Sequence, residues 1–326
     1  MARNEIVRYA FNRGVISPLA VSRTDLKRAA LSAETQENWM PRSLGSMMLR
    51  PGLGYIGASA SNNPARLIDF VRSITNTHLM EFTNALLRIW TNDVLVTRVS
   101  VATAVTDGAF STDASTNAAW TDNDEAGGVS AWSPVSAGVA NLGLIGNGTA
   151  ASIRDQQVTV AAGDINKEHA LRIIIDRGPV IVRIGSTLGG DEYINQVTLY
   201  TGAHSLTFTP AGNFYIRFLS RVKRVVYVRS CNVEAAGVMT LPSPYLTADM
   251  NNIRANSESL SVDVQFVACT GYQQRRIERR DSGRSWSIIL YQVDDGPFRA
   301  DNVSTHTMRP SVIAGKIGRA SCRERV

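Results

Sequence analysis

Cysteine is nearly absent: Cys231, Cys269 and Cys322 are the only three in 326 residues, and their spacing fits neither a zinc-ligand pattern nor an oxidised framework. Histidine is as scarce. His78, His169, His204 and His306 are scattered, with no serine elbow or paired acid beside them to suggest nucleophilic or acid-base chemistry. Long apolar runs are missing too. The longest uncharged stretch, 126–153, is half Gly, Ser, Asn, Thr and Pro, which excludes a membrane-spanning segment. Arg3, Glu5 and Arg8 stand where a cleaved secretory signal needs an apolar core, so export by that route is not expected. What remains is ordinary globular composition, 44% hydrophobic and 19% charged. A chain of this length predicts about two domains with cores that need no metal or disulfide staples.

Of the formal net charge of +6, three units come from the last eleven residues. Residues 316–326, Lys-Ile-Gly-Arg-Ala-Ser-Cys-Arg-Glu-Arg-Val, coincide residue for residue with the translation of a widely used sequencing adapter. This tail is expected to be adapter-derived, with the native chain running on past Gly315, and it is set aside from fold reasoning. Without it, residues 1–104 carry +5, 105–236 carry −2 and 237–315 are neutral. None of these is the electrostatic footprint of a nucleic-acid-binding surface.

The pattern predicts an all-β fold. A short helix is expected around Leu26, Ala30 and Ala33, and another near 247–254. Nearly everything else reads as strand. Segments 65–71, 78–83, 86–90 and 94–99 are short runs punctuated by Asn and Thr, spaced as in an antiparallel meander. From Val105 to Gly148 the texture turns to Gly, Ser, Ala and Asn; beyond it, alternation is clear, as in Phe214, Ile216 and Phe218. Segments 179–184, 193–200 and 224–229 extend the series. Residues 105–236 are therefore expected to form a self-contained antiparallel β-sandwich, inserted between segments 1–104 and 237–315 of another β domain. Strands are expected again at 261–268, 275–279 and 285–292.

Four motifs invite a functional reading, each with a plainer rival. Gly52, Gly54 and Gly57 spell a dinucleotide-binding fingerprint, but Arg50-Pro51 precedes them and Asn62-Asn63-Pro64 stands where the helix should run, so a turn is favoured. Asp122, Asp124 and Glu125 are oxygen donors of the kind that suit calcium, but a solvated loop is favoured and no metal is expected. Trp120, Trp132 and Tyr193 are candidate glycan contacts, because a sugar's CH face packs on an aromatic ring; for Trp120 core packing competes. Arg275, Arg276, Arg279, Arg280 and Arg284 offer a phosphate grip, or a salt network with Glu278 and Asp281. No catalytic residue and no nucleic-acid site emerges.

Tyr9-Ala-Phe11-Asn-Arg-Gly14-Val-Ile-Ser17-Pro18, then Arg23-Thr-Asp25-Leu26, Asn38, Pro41, Gly45 and Arg50-Pro51-Gly52 resemble the opening of podovirus-type bacteriophage tail nozzle proteins, the tail tubular B family. Arg13 stands where that family usually has a second glycine. The similarity resumes after the insert at Pro244-Tyr245 with Thr247 and Asp249, and at Arg279, Trp286 and Asp295-Gly296-Pro297-Phe298, with Gln273-Gln274 replacing the usual prolines. The insert resembles galactose-binding-like jelly rolls of carbohydrate-binding modules, through Asp107-Gly-Ala-Phe110 and Trp120-Thr121; its last strand, 227–233, lacks the acids of that group, leaving a structural calcium doubtful and no other cofactor implied.

The resemblance implies a β-propeller-like platform interrupted by a jelly roll. It also implies a non-enzymatic virion protein, made in the host cytoplasm, whose identical subunits form a ring below the tail adaptor and line the DNA exit conduit. DNA would pass without sequence-specific contact, and the outward module would meet a host-surface glycan. Platform packing would bury Trp39, Trp90 and Trp286. The rival readings are a carbohydrate-binding module of an envelope-glycan-degrading enzyme, which would need a paired-carboxylate cleft, and a free-standing glycan-binding protein.

Overall fold

The computed structural model describes residues 10–20, 22–23, 25–73, 75–111, 118–135, 139–256, 263–292, 307–310 and 320–323, with side chains described except at 131–135, 139–140 and in the last two segments. The chain divides into two units, 1–57 and 58–326. Among the described residues the only helical elements are three-residue 3₁₀ turns, and every strand ladder is antiparallel.

In the first unit, β1 (Trp39–Pro41) pairs with β2 (Met47–Leu49). Gly14, Asn38 and Gly45 take positive φ values of 74°, 60° and 98°. The helix expected around Leu26 shrinks to a 3₁₀ turn, Ala29–Leu31, because Ser32 switches to extended backbone and spends its hydroxyl on the Arg28 carbonyl. Ala33 then bridges to Val15 instead of completing a helical face. Trp39, expected to be buried, is 48% exposed on its three-residue strand.

The second unit begins with β3 (Arg66–Ser73), β4 (Asn76–Thr83), β5 (Leu86–Thr91), β6 (Val94–Leu95) and β7 (Thr97–Arg98). Two-residue loops join β4 to β5 and β5 to β6; at the latter, Asn92 and Asp93 both adopt positive φ, the turn whose twist suits a hairpin. Next come β8 (Thr121–Asp122), β9 (Val129–Val135), β10 (Val139–Ile145), β11 (Ser152–Val158), β12 (His169–Arg177), β13 (Val180–Gly185), β14 (Ile194–Leu199), β15 (Gly202–Phe208), β16 (Phe214–Ser220) and β17 (Val226–Val233). The chain closes with β18 (Gly237–Val238), β19 (Thr240–Pro242), β20 (Arg254–Ala255), β21 (Val264–Ala268), β22 (Arg275–Arg280) and β23 (Ser285–Leu290), then β24 (Thr307–Pro310) paired with β25 (Ala320–Arg323). The helix expected at 247–254 is a 3₁₀ turn, Thr247–Asp249, in which Asp249 accepts the Leu246 N–H.

Three sheets organise this unit: β14-β13-β16-β11-β8, β19-β5-β4-β3 with β6 beside β5, and a nine-stranded sheet ordered β20-β21-β22-β23-β15-β12-β17-β10-β9. The first core lies between the five-stranded sheet of β8–β16 and the half of the nine-stranded sheet that runs from β15 to β10. Phe214, Ile216 and Phe218 from one side meet Leu171, Ile173, Ile175 and Leu206 from the other, around Trp120 and Phe110. The second core packs β3, β4 and β5 on the β21–β23 half, with Met80, Phe82, Ile89, Tyr245, Ile277 and Trp286 fully buried.

Residues 105–236 are not the self-contained sandwich that the sequence pattern suggests. β15 pairs with β23, Gly202 to Ser205 against Ile289 to Trp286, so one sheet runs through both cores. Gly202 permits this junction. It has φ 147°, and a Cβ there would sit 2.2 Å from the Ile288 carbonyl oxygen. On the β15 face toward the second core, Ala203 is buried beside Ile288.

Candidate functional site

The point where the chain enters and leaves residues 105–236 is held by buried charges. β7 ends at Arg98 and β17 is followed by Glu234; the Arg98 Nε donates to Glu234 at 2.6 Å, and the Arg172 Nε of β12 donates to the other carboxylate oxygen at 2.6 Å. Arg98 also donates to Ser205 and to the Arg284 carbonyl, while Arg284 pairs with Glu168. Burial would raise the Glu234 carboxyl's pKa, but Arg172 and Arg98 outweigh it and hold the group below its ordinary value. Neither Arg98 nor Glu234 stands in a motif, so pattern reading had no signal for them.

A second cluster fixes residues 58–62 to the outer face of β4 and β5. Glu81, 1% exposed, accepts Arg88 at 2.7 Å, the Trp90 Nε1 at 2.7 Å and the Ala60 N–H at 2.9 Å. Trp90 is half-buried, and Trp286 is fully buried against Phe70 and His78.

The candidate glycan residues do not form one platform. Trp120 is 1% exposed, packed on Phe110 and Phe218, with its Nε1 donating to the Asp107 carbonyl; no sugar can stack on it, and core packing is the correct reading. Tyr193 is half-buried. Its ring lies beside Phe208, and its hydroxyl accepts the Ala211 N–H. Trp132 falls in β9, but its side chain lies outside the described residues. The polar feature the sequence reading missed is a cross-strand row on the outer face of the five-stranded sheet, Arg183 beside Arg217 beside Asp155. Arg217 holds Asp155 through two bonds of 2.7 and 2.8 Å, with half-buried Tyr215 two residues away on the same face.

The acidic loop is not an open cation site. Asp122 pairs with Arg154 at 3.0 Å, Asp124 accepts the Ser130 and Ile153 N–H groups, and Glu125 pairs with Arg221 at 2.9 Å. Arg221, and then the Ala151 N–H, hold the Glu125 carboxyl below its ordinary value. These bonds tie the β8–β9 connection to β11 and to Arg221 just past β16, while Asp122 and Glu125 stay exposed, as expected of a solvated loop. Among the described residues no cluster of three His, Cys, Asp or Glu side chains is placed to hold a metal.

The arginine run resolves into ion pairs on a central strand rather than an edge. Arg276 and Arg280 share Glu278, Arg279 pairs with Asp263 at 3.0 Å, and Arg284 with Glu168. Arg275 has no such partner among the described residues. Gly52 and Gly54 meet nothing within 4 Å, and no helix follows them, only a 3₁₀ turn at Ala60–Asn62, which removes the dinucleotide reading.

Among the described residues the histidines, His78, His169 and His204, are buried, and His306 lies outside the described residues. His204 is fully buried; its Nε2 donates to the Tyr200 carbonyl and its Nδ1 accepts the Ser287 hydroxyl. Burial, and then the Arg280 charge, push its pKa down to about 3. His78 is buried on Trp286, and burial followed by Arg279 and Arg72 lowers its pKa as well. Burial pushes the Cys231 thiol up, which leaves it unreactive.

What the arrangement does chemically is hold strands together. The buried carboxylates Glu81, Asp155, Asp164, Glu234 and Glu278 all engage arginine, lysine or backbone N–H groups. No helix among the described residues is long and apolar enough to cross a membrane. No protein-family model matches the chain, and no curated protein matches it.

Proposed function

We propose that the chain is a structural protein of a bacteriophage tail nozzle, without catalytic activity. In this reading the strands on either side of residues 105–236 belong to a β-propeller-like platform. Identical platforms close into a ring beneath the tail adaptor, and genomic DNA passes through the ring. Residues 105–236 are a jelly-roll module on the outside, where its −2 charge keeps it clear of DNA. Its place of work is the virion.

The observation that carries this reading is where the motif residues sit. Gly14, Asn38 and Gly45 are turn positions with positive φ. Arg23 and Asp25 hold each other at 2.7 Å. Tyr245 and Trp286 are fully buried, and Asp249 caps a turn while accepting the Tyr272 hydroxyl at 2.7 Å. Residues of this kind maintain a scaffold; an enzyme's diagnostic residues gather in a cleft. For the module, half-buried Tyr193, and Trp132 on β9, remain the residues with which a host-surface glycan would be met.

Electron microscopy and mass photometry of the purified chain test the proposal, alongside a hydrolase assay on bacterial envelope polysaccharide. Closed rings and no turnover are the expected result. Turnover that survives purification, with only monomers present, overturns it.

A further inference from the structure

A cleft of about 310 Å³ opens where the second core ends. Ile174, Ala203, Ile288 and Leu290 line it from three neighbouring strands, β12, β15 and β23, and Pro242 and Pro244 form part of its wall. Arg275, opposite Leu290 on β22, reaches the same cleft.

Arg275 differs from every other arginine of its run. Arg276, Arg279, Arg280 and Arg284 each have a carboxylate, whereas Arg275 has none among the described residues; its Nε is buried without a hydrogen-bond partner, as are those of Arg276 and Arg279, but only theirs belong to ion-paired guanidinium groups. Asp176, which also lines the cleft, is occupied by Arg229 and Asn141. Nearby, the fully buried Tyr245 also has a hydroxyl with no partner. A half-buried guanidinium without an anion is costly, and folded chains retain such groups chiefly where a ligand supplies the missing charge.

We propose that this cleft binds a small monocarboxylate with an apolar body, its carboxylate on Arg275 and its apolar part over Ile174, Ala203 and Ile288. The size suits a single ring or branched chain. A single guanidinium, with the cleft's own carboxylate already neutralised by Arg229, matches one negative charge rather than two. The inference is independent of the tail-nozzle reading.

The test uses the whole chain, with benzoate as probe, benzyl alcohol as its neutral counterpart and inorganic phosphate as a second anion, followed by titration NMR. Benzoate is expected to bind saturably, and benzyl alcohol roughly tenfold more weakly or worse through the loss of one charge-assisted contact, phosphate likewise through the loss of the apolar contacts. Arg275→Met, which keeps the methylene packing, is expected to abolish the preference for benzoate and to raise the melting temperature, because an unpaired charge is removed. No saturable benzoate binding, equal binding of benzyl alcohol, or unchanged benzoate binding by R275M each overturns the proposal. Should R275M lower the melting temperature, Arg275 is a structural residue and the proposal also fails.

Discussion

The two cores of the second unit are built from similar residues but by different routes. The first is local: its residues, from Val105 to Cys231, come from one uninterrupted stretch. The second joins residues 68–96 to 239–288, and takes Ala203 from the stretch between. The first core closes when neighbouring strands find each other. The second cannot close until the whole of 105–236 has brought its two halves together, so its closure carries the larger loop-entropy cost. The β15–β23 ladder and the Arg98–Glu234–Arg172 cluster sit where that cost is met. A long excursion is thereby made part of one continuous sheet.

The most severe test of this contrast removes a central side chain from each core. Trp286→Ala and Phe218→Ala are each expected to cost about 3–5 kcal/mol, and chemical denaturation of both variants checks it. Because one sheet serves both cores, each substitution should lower the stability of the entire second unit, not of its own core alone. Gly202→Val strikes the junction itself. The added side chain meets the Ile288 backbone, so a loss of about 1–3 kcal/mol is expected in chemical denaturation, again for the second unit as a whole, with the near-UV circular dichroism of both cores lost in one step.

Glu234→Gln sharpens the comparison at the chain crossover. It removes the nearer of the two carboxylates beside Arg98, whose side chain is 2% exposed, leaving only Glu168 at 3.9 Å, and a loss of about 3 kcal/mol should appear in urea titrations. The pH dependence follows from the same carboxylate. Its folded pKa is below the unfolded value, so its contribution is complete above about pH 4.3 and disappears as pH falls through the folded pKa.

His204 contributes over a higher range. With a folded pKa of about 3 against an unfolded value of about 6.5, the unfolded chain takes up the proton first, so stability declines progressively as pH falls from about 6.5 toward about 3. Melting temperatures measured across that window check it, and His204→Gln should flatten the upper part of the slope. The smallest effect belongs to the loop that looked like a calcium site: Arg221→Gln cuts the exposed pair with Glu125, and any shift in melting temperature should be slight and vanish in high salt.

The same contrast explains what was legible in the sequence. β16 was readable because one face is core and the other is polar, so Phe214, Ile216 and Phe218 alternate with Tyr215 and Arg217. β12, at the centre of the nine-stranded sheet, was not. Leu171, Ile173 and Ile175 enter the first core while Ile174 packs on the second, so Ile173-Ile174-Ile175 shows no period. β9 and β10 were hidden by their Ser, Ala and Gly content. The first expected helix failed because a single turn followed by the extended Ser32 satisfies the same spacing over one repeat; at the second, the helical backbone stops after one 3₁₀ turn and Met250, and β20 starts at Arg254.

The site was less legible than the fold. Trp120 could read as a stacking platform, but core packing is the favoured reading and its burial bears that out. The five arginines of 275–284 look alike until the register puts Glu278, Asp263 and Glu168 beside four of them. The departure of Arg275 from that pattern is visible only in three dimensions.

Differential scanning calorimetry of the intact chain, with Phe218→Ala and Trp286→Ala beside it, tests the central claim that one sheet binds both cores into a single body. The account predicts one transition for residues 58–326 that both substitutions move together. Two separable transitions, each shifted only by the substitution in its own core, would contradict it.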